Sequence, residues 1–309
     1  MKTEEIKKGT NSFIPSIQLA ELFYHFPEDD LISIVERVIS IGYYQSVESL
    51  LPENKDVREK IRKILKLNNI RWTCWATRFI NTESLNIGNI NEIERKKSTQ
   101  RHKELIDLAA ECGADSYAFF SGQRPYDINL LSDSIKAAEA SLCELADYSK
   151  QYKNLSLMLE ALDVNVHKKN TIGNTSVATK IIHNARNLNP NTYLVWDSAH
   201  FALMKEDLRT SLRNAKGVIG QIHLCNAILD SDDSLYGDYH IEPGSNGFLT
   251  TLRAADIIQA AKTLNLGDNH LPIAVEVRPA KDETPWIIEE KTRKMLEQAS
   301  LLANGSYIF

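Results

Sequence analysis

Short apolar runs bounded by turn residues alternate along the chain with stretches whose apolar residues recur at helical spacing. FIPSIQ, YYQSVES, IRWTCWAT, SYAFFSG, NLSLMLE, TYLVWD, GVIGQIHL and LPIAVEV read as buried strands. Between them the spacing predicts helices. The first runs from Glu28 to Ser40, with Gly42 as its stop, and VREKIRKILKLNN is the second. Others cover Glu92 to Cys112, about Leu130 to Tyr152, Thr175 (as the cap) to about Leu188, LMKEDLRTSLRNA, Leu249 to Leu264, and Pro285 to Leu302. The polar segment from Arg78 to Asn91 predicts a long loop over the strand ends, of the kind that often serves as a lid. The stretch from Cys225 to Gly247 is the longest irregular piece. Strict strand–helix alternation predicts a single (β/α)8 TIM barrel, one domain over residues 1–309. A doubly wound open sheet is the alternative, but no glycine-rich turn follows the first strand to support a dinucleotide site.

Several of these runs end in a side chain that can bind a metal. LSLMLE ends at Glu160, YLVWD at Asp197, VIGQIH at His223 and PIAVE at Glu276. A closed parallel barrel brings its strand ends together, whatever their separation in sequence. Three carboxylates and an imidazole then form a mixed oxygen and nitrogen site, suited to Mn²⁺, Zn²⁺, Co²⁺ or Mg²⁺.

Composition narrows the partners. The hydrophobic share is 43% and the charged share 25%, as in globular proteins, and no apolar run is long enough for a membrane helix. MKTEEIKKGT has no apolar stretch of signal-peptide type. Cys74, Cys112, Cys143 and Cys225 lack metal-type spacing and read as reduced thiols of a cytoplasmic protein. A formal net charge of −5 argues against a general nucleic-acid binder and leaves a small molecule as partner.

LMLEALD, WDSAH, IHLCN, DYHIEPGSNG and IAVEVRP, in this order and at strand ends, resemble the xylose isomerase-like TIM barrel superfamily. That superfamily includes sugar and inosose isomerases, ketose 3-epimerases and nucleases of the endonuclease IV type. The resemblance implies that Glu160, Asp197, His223 and Glu276 are the ligands of one divalent ion. It also implies that Glu160 and Glu276 remove and return a proton alpha to a carbonyl, through a metal-stabilised enediolate. His200 would position the substrate and assist catalysis, with Trp75, His240 and Arg278 as further substrate contacts. A carbohydrate isomerase or epimerase, often a homo-oligomer, is the leading expectation. A metal-dependent lyase or dehydratase on an oxidised sugar or cyclitol is an alternative. A phosphoester hydrolase of the endonuclease IV type is another, and a non-catalytic barrel a third. In the nuclease branch His200, Asp238 and His240 would hold a further zinc; a second metal at these residues is the less favoured reading here. That branch needs two more histidines at earlier strand ends, which here read WTCWAT and AFFSGQ.

Other residues are read more plainly. His25, His102, His183 and His270 are expected on the surface or in packing. His167, Lys168 and Lys169 are expected as a solvated charge cluster rather than a phosphate site. Trp72, Trp75, Phe119, Phe120 and Trp196 lie near strand ends, and alternation sends part of this set into ordinary core. The loop CNAILDSDD lacks the arginine that the family's ketose 3-epimerases carry there, which argues against a free-ketohexose 3-epimerase.

Overall fold

A computed structural model describes residues 13–244 and 246–305. The charged N-terminal stretch and Ser245 of the DYHIEPGSNG motif lie outside them. The strands are β1 (Ile14–Gln18), β2 (Ser46–Leu50), β3 (Arg71–Trp75), β4 (Ser116–Phe120), β5 (Ser156–Glu160), β6 (Thr192–Asp197), β7 (Ile219–Cys225) and β8 (Pro272–Glu276). All are parallel and pair in chain order, and β8 closes on β1. The helices are α1 (Leu19–Leu22), α2 (Leu31–Ile41), α3 (Lys55–Leu67), α4 (Thr77–Glu83), α5 (Glu92–Cys112), α6 (Leu131–Ser149), α7 (Thr175–Arg186), α8 (Ser198–Leu203), α9 (Leu208–Asn214), α10 (Thr251–Thr263) and α11 (Pro285–Ala303). The protein is a single (β/α)8 TIM barrel.

Alternation along each strand divides the interior into two layers. On β5, Leu157 and Leu159 join the large cluster under the helices, while Met158 packs inside the barrel with Trp75, Ala118 and Val195. Glu160 follows Met158 on the inner face, as Asp197 follows Val195. Trp72, Phe119 and Trp196 belong to the outer cluster, so they are core and not cavity wall. Register then aligns the candidate ligands across strands: Asp197 pairs with His223 and Cys225 with Glu276.

Three local expectations are corrected. The segment predicted as a loop over Arg78–Asn91 begins inside α4, whose Phe79 and Ile80 are buried against the barrel while its other residues are polar. The sparse apolar spacing hid that turn of helix. LMKEDLRTSLRNA is not one helix. It breaks after Leu203, Lys205 adopts a left-handed backbone (φ 57°), and Asp207 restarts the chain as the cap of α9, accepting from the Thr210 N–H. The cap of α7 is Asn174, not Thr175. Asn174 Oδ1 accepts from the Ser176 and Val177 N–H groups, while the Thr175 hydroxyl meets Ser211 Oγ at 2.9 Å. Replacing an Asn cap by Ala costs about 1 kcal/mol. Asn174→Ala is therefore expected to lower the unfolding free energy by that much and shift the urea midpoint down; an unchanged midpoint would contradict the cap.

Candidate metal centre and active-site cavity

Glu160, Asp197, His223 and Glu276 meet at the C-terminal mouth of the barrel. Each offers a ligand atom, and these atoms lie within 4.8 Å of one another. All four side chains are buried. His223 Nδ1 lies 3.0 Å from Glu160 and 2.8 Å from Glu276. Asp197 uses Oδ1 to accept from the Ala199 and His200 N–H groups at 2.7 and 3.0 Å, which caps α8. Its other oxygen, Oδ2, is buried without a hydrogen-bond partner. Thus the aspartate both starts a helix and turns one oxygen over to the cluster.

The charge balance of the cluster is unfavourable as it stands. Burial, with help from the Glu276 and Glu160 carboxylates, pushes Asp197 up to about 7. Burial raises Glu160 as well. Burial would also raise Glu276, but His223 and His240 beside it hold it down at about 2. Burial alone would lower His223, yet the Glu276 and Glu48 carboxylates hold it well above the usual imidazole range. Buried carboxylates with an unpartnered oxygen, arranged around one imidazole nitrogen, fit a divalent cation of the Mn²⁺ or Zn²⁺ type.

Glu48, in the middle of β2, was not singled out as a site residue from the sequence, although it lies one residue before the end of the run YYQSVES. Its carboxylate lies 2.9 Å from His223 Nε2 and accepts from Trp75 Nε1 at 3.0 Å and Ser16 Oγ at 2.9 Å. A carboxylate on Nε2 keeps a proton there and leaves Nδ1 for the metal. Asp163 was also missed, although it closes the LMLEALD motif. Its carboxylate gathers the N–H groups of Val166, His167 and Lys168 at 2.7–2.9 Å and lies 3.5 Å from His200 Nδ1. Burial and the Asp163 amide N–H, 3.2 Å from Nδ1, favour a neutral His200 ring. The Asp163 carboxylate, with Asp197 and Asp238, outweighs them and lifts His200 to about 9.

The remaining expected residues divide. Trp75, His200, His240 and Arg278 line one cavity of about 290 Å³ with Glu160 and Glu276. That is at the small end of the range for small-molecule sites. Arg278 is already engaged there by Glu21, which accepts from its Nε at 2.9 Å, so the arginine reaches the cavity as half of an ion pair. Glu21 gave no signal in the sequence. Lys168 is not a solvated loop charge. It reaches into the same cavity, 3.0 Å from Asp238 and 3.1 Å from His240 Nε2. His167 is half-buried and stacks on Tyr239, while Lys169 is exposed. His102 packs at Tyr117 Oη at 2.7 Å, and His25, His183 and His270 are exposed as expected. Larger clefts of about 950 and 670 Å³ open at the strand N-termini, among residues such as Arg71, Asp115 and Lys153, away from the cluster.

The sequence matches the family described as xylose isomerase-like TIM barrel over residues 35–293. The chain belongs to that family. No curated protein matches the sequence closely enough to count as a relative. Similar solved structures include an L-ribulose 3-epimerase, with TM-score 0.71 and 14% identity, covering 94% of this chain and 95% of that one. A 3-keto-D-glucoside 4-epimerase from E. coli has TM-score 0.65 and 15% identity, covering 93% of this chain and 98% of that one. An IolI protein with a bound zinc atom has TM-score 0.66 and 16% identity, covering 96% of this chain and 99% of that one. At these identities the likeness of this family member to each is one of fold.

Two measurements check the centre. Ligands must lose their protons to bind a metal. Asp197 near 7 and a protonated His223 therefore make zinc binding release protons at pH 7, and affinity should fall as pH drops below that. Calorimetry in buffers of different ionisation enthalpy reads the proton count; no release would contradict the assignment. Glu48→Gln removes the anion behind His223 and should weaken metal affinity roughly 10–100-fold. Unchanged affinity by chelator competition would remove Glu48 from the centre.

Proposed function

We propose that this protein is a divalent-metal-dependent isomerase or epimerase of a sugar, keto-sugar or cyclitol, on one barrel domain spanning residues 1–309. The observation that carries the reading is the placement of Glu160 and Glu276. Both carboxylates border one cavity and flank the same imidazole nitrogen of His223, at 3.0 and 2.8 Å. Glu160, Asp197, His223 and Glu276 would hold the ion, which when bound polarises a carbonyl and stabilises negative charge developing on its oxygen.

The chain's own residues supply the rest. Glu160, raised by burial, and Glu276, held low by histidines, are carboxylates with opposed proton affinities beside one substrate space. One can remove a proton alpha to the carbonyl while the other returns it. His200 and His240 offer hydrogen bonds to substrate oxygens, and Trp75 supplies an apolar wall. The epimerase activities of the structural neighbours favour the same class. No helix among the described residues is long and apolar enough to cross a membrane. The free cysteines suit a reducing cytoplasm, the compartment we propose.

A second reading, elimination from an oxidised sugar or cyclitol, draws on His200. His200 lines the cavity 3.5 Å from the Asp163 and Asp238 carboxylates, which raise its proton affinity, and could protonate a β-leaving group after the same proton abstraction.

The test is a panel of ketoses, keto-sugars and inososes incubated in D₂O with the metal-loaded protein. Deuterium should enter alpha to the carbonyl, with mass otherwise conserved for epimerisation and water or a fragment lost for elimination. Glu160→Gln and Glu276→Gln should each slow exchange by about 10²–10⁴. Cleavage of abasic DNA without exchange into any sugar would overturn the proposal in favour of phosphoester hydrolysis.

A further inference from the structure

Next to the centre lies a second set of potential metal ligands. Cys225, Asp238 and His240 each offer an atom within 4.8 Å of the others, and all three are buried. Thiolate, carboxylate and imidazole are a zinc-type ligand set. The cluster already contains a cation, though. Lys168 Nζ is 3.0 Å from Asp238 Oδ2 and 3.1 Å from His240 Nε2, and those two atoms are 3.0 Å from each other. Ligand atoms about 2.0–2.2 Å from a shared zinc would be spaced in much this way.

We infer that the Lys168 ammonium occupies the second cation position, so that the protein takes one divalent ion and not two. The loop is built to deliver it. Asp163 binds the successive N–H groups of Val166, His167 and Lys168, which fixes the backbone from which the lysine stem enters. Gly237 lets the loops close: a Cβ there would meet His167 Cβ at 2.8 Å. Asp238 is the lysine's counter-charge, and its other oxygen, Oδ1, accepts from the Cys225 thiol at 3.2 Å, so the thiol keeps its proton. A single positive charge is enough for this arrangement, whereas a zinc ion would draw the thiolate. An ammonium carries three N–H groups. Nζ is ion-paired with Asp238 and lies against His240 Nε2, and it also borders the cavity, where an N–H can meet an oxygen of whatever fills it. In the setting of the function proposed above, a lysine at this point withholds the paired ions that hydrolysis of a phosphoester would use and leaves a single-ion centre for proton transfer.

The experiment counts zinc per chain on gel-filtered full-length protein after zinc loading, by plasma mass spectrometry, in wild type and Lys168→Ala. Lys168→Ala should hold one zinc more than wild type, and adding Asp238→Asn in that background should remove it. With Co²⁺ in place of zinc, Lys168→Ala should gain a thiolate-to-cobalt charge-transfer band that Cys225→Ser abolishes. Equal zinc counts in folded Lys168→Ala and wild type would overturn the inference, as would two ions in wild type. A wild type with no zinc and a Lys168→Ala variant with one would sink the function proposed above while supporting the lysine's role. Should Lys168→Ala not fold, Lys168→Gln keeps the stem and gives the same comparison.

Discussion

Acidic groups packed together away from water must find positive charge or give up their own. At the mouth of this barrel Glu160, Asp197 and Glu276 converge under that rule, with Glu48 directly beneath. Coulomb repulsion that water would screen is several-fold stronger there. His223 answers part of it, standing between the carboxylates of the centre and that of Glu48. The unpartnered oxygen of Asp197 marks what a single imidazole leaves unanswered. Most of the arrangement follows from this shortage: why the carboxylates split in proton affinity, why the imidazole is clamped from both sides, and why an ion fits.

The barrel and the loops solve the problem at different depths. Strand register sets the candidate ligands, since Asp197 and His223 stand opposite each other across β6 and β7. Around them, loop residues add ion pairs rather than ligands: Glu21 with Arg278, and Asp238 with Lys168. Each pair brings its cation to the cavity already neutralised. The cavity is therefore lined by paired charges and polar side chains. That suits hydroxyl-bearing molecules better than polyanions.

The sequence disclosed what was repetitive and withheld what was relational. Apolar runs ending in Glu160, Asp197, His223 and Glu276 announce both a parallel barrel and its ligands, because a buried strand must be apolar until it emerges. Glu48 was within reach, since YYQSVES carries an acid next to its last residue, but it does not end on that acid as the other four runs end on theirs; inside this barrel, Ser16 and Ser46 line the interior with it. Lys168 was misread because three basic residues in a loop normally face water, and nothing local says that Asp238 waits seventy residues on. The break at Lys205 and the turn of α4 were lost for a similar reason. Their few apolar contacts make sense only against the finished barrel.

Because backbone pairing, and not loop conformation, spaces the side chains that would grip the ion, the two duties of the mouth are separable. The segments after β5 and β7 can lengthen or shorten away from Asp163, Lys168, Asp238 and His240 without moving the strand-end side chains beneath them. Descendants of this chain could take up new molecules by revising the rest of these loops while inheriting the same strand-end chemistry.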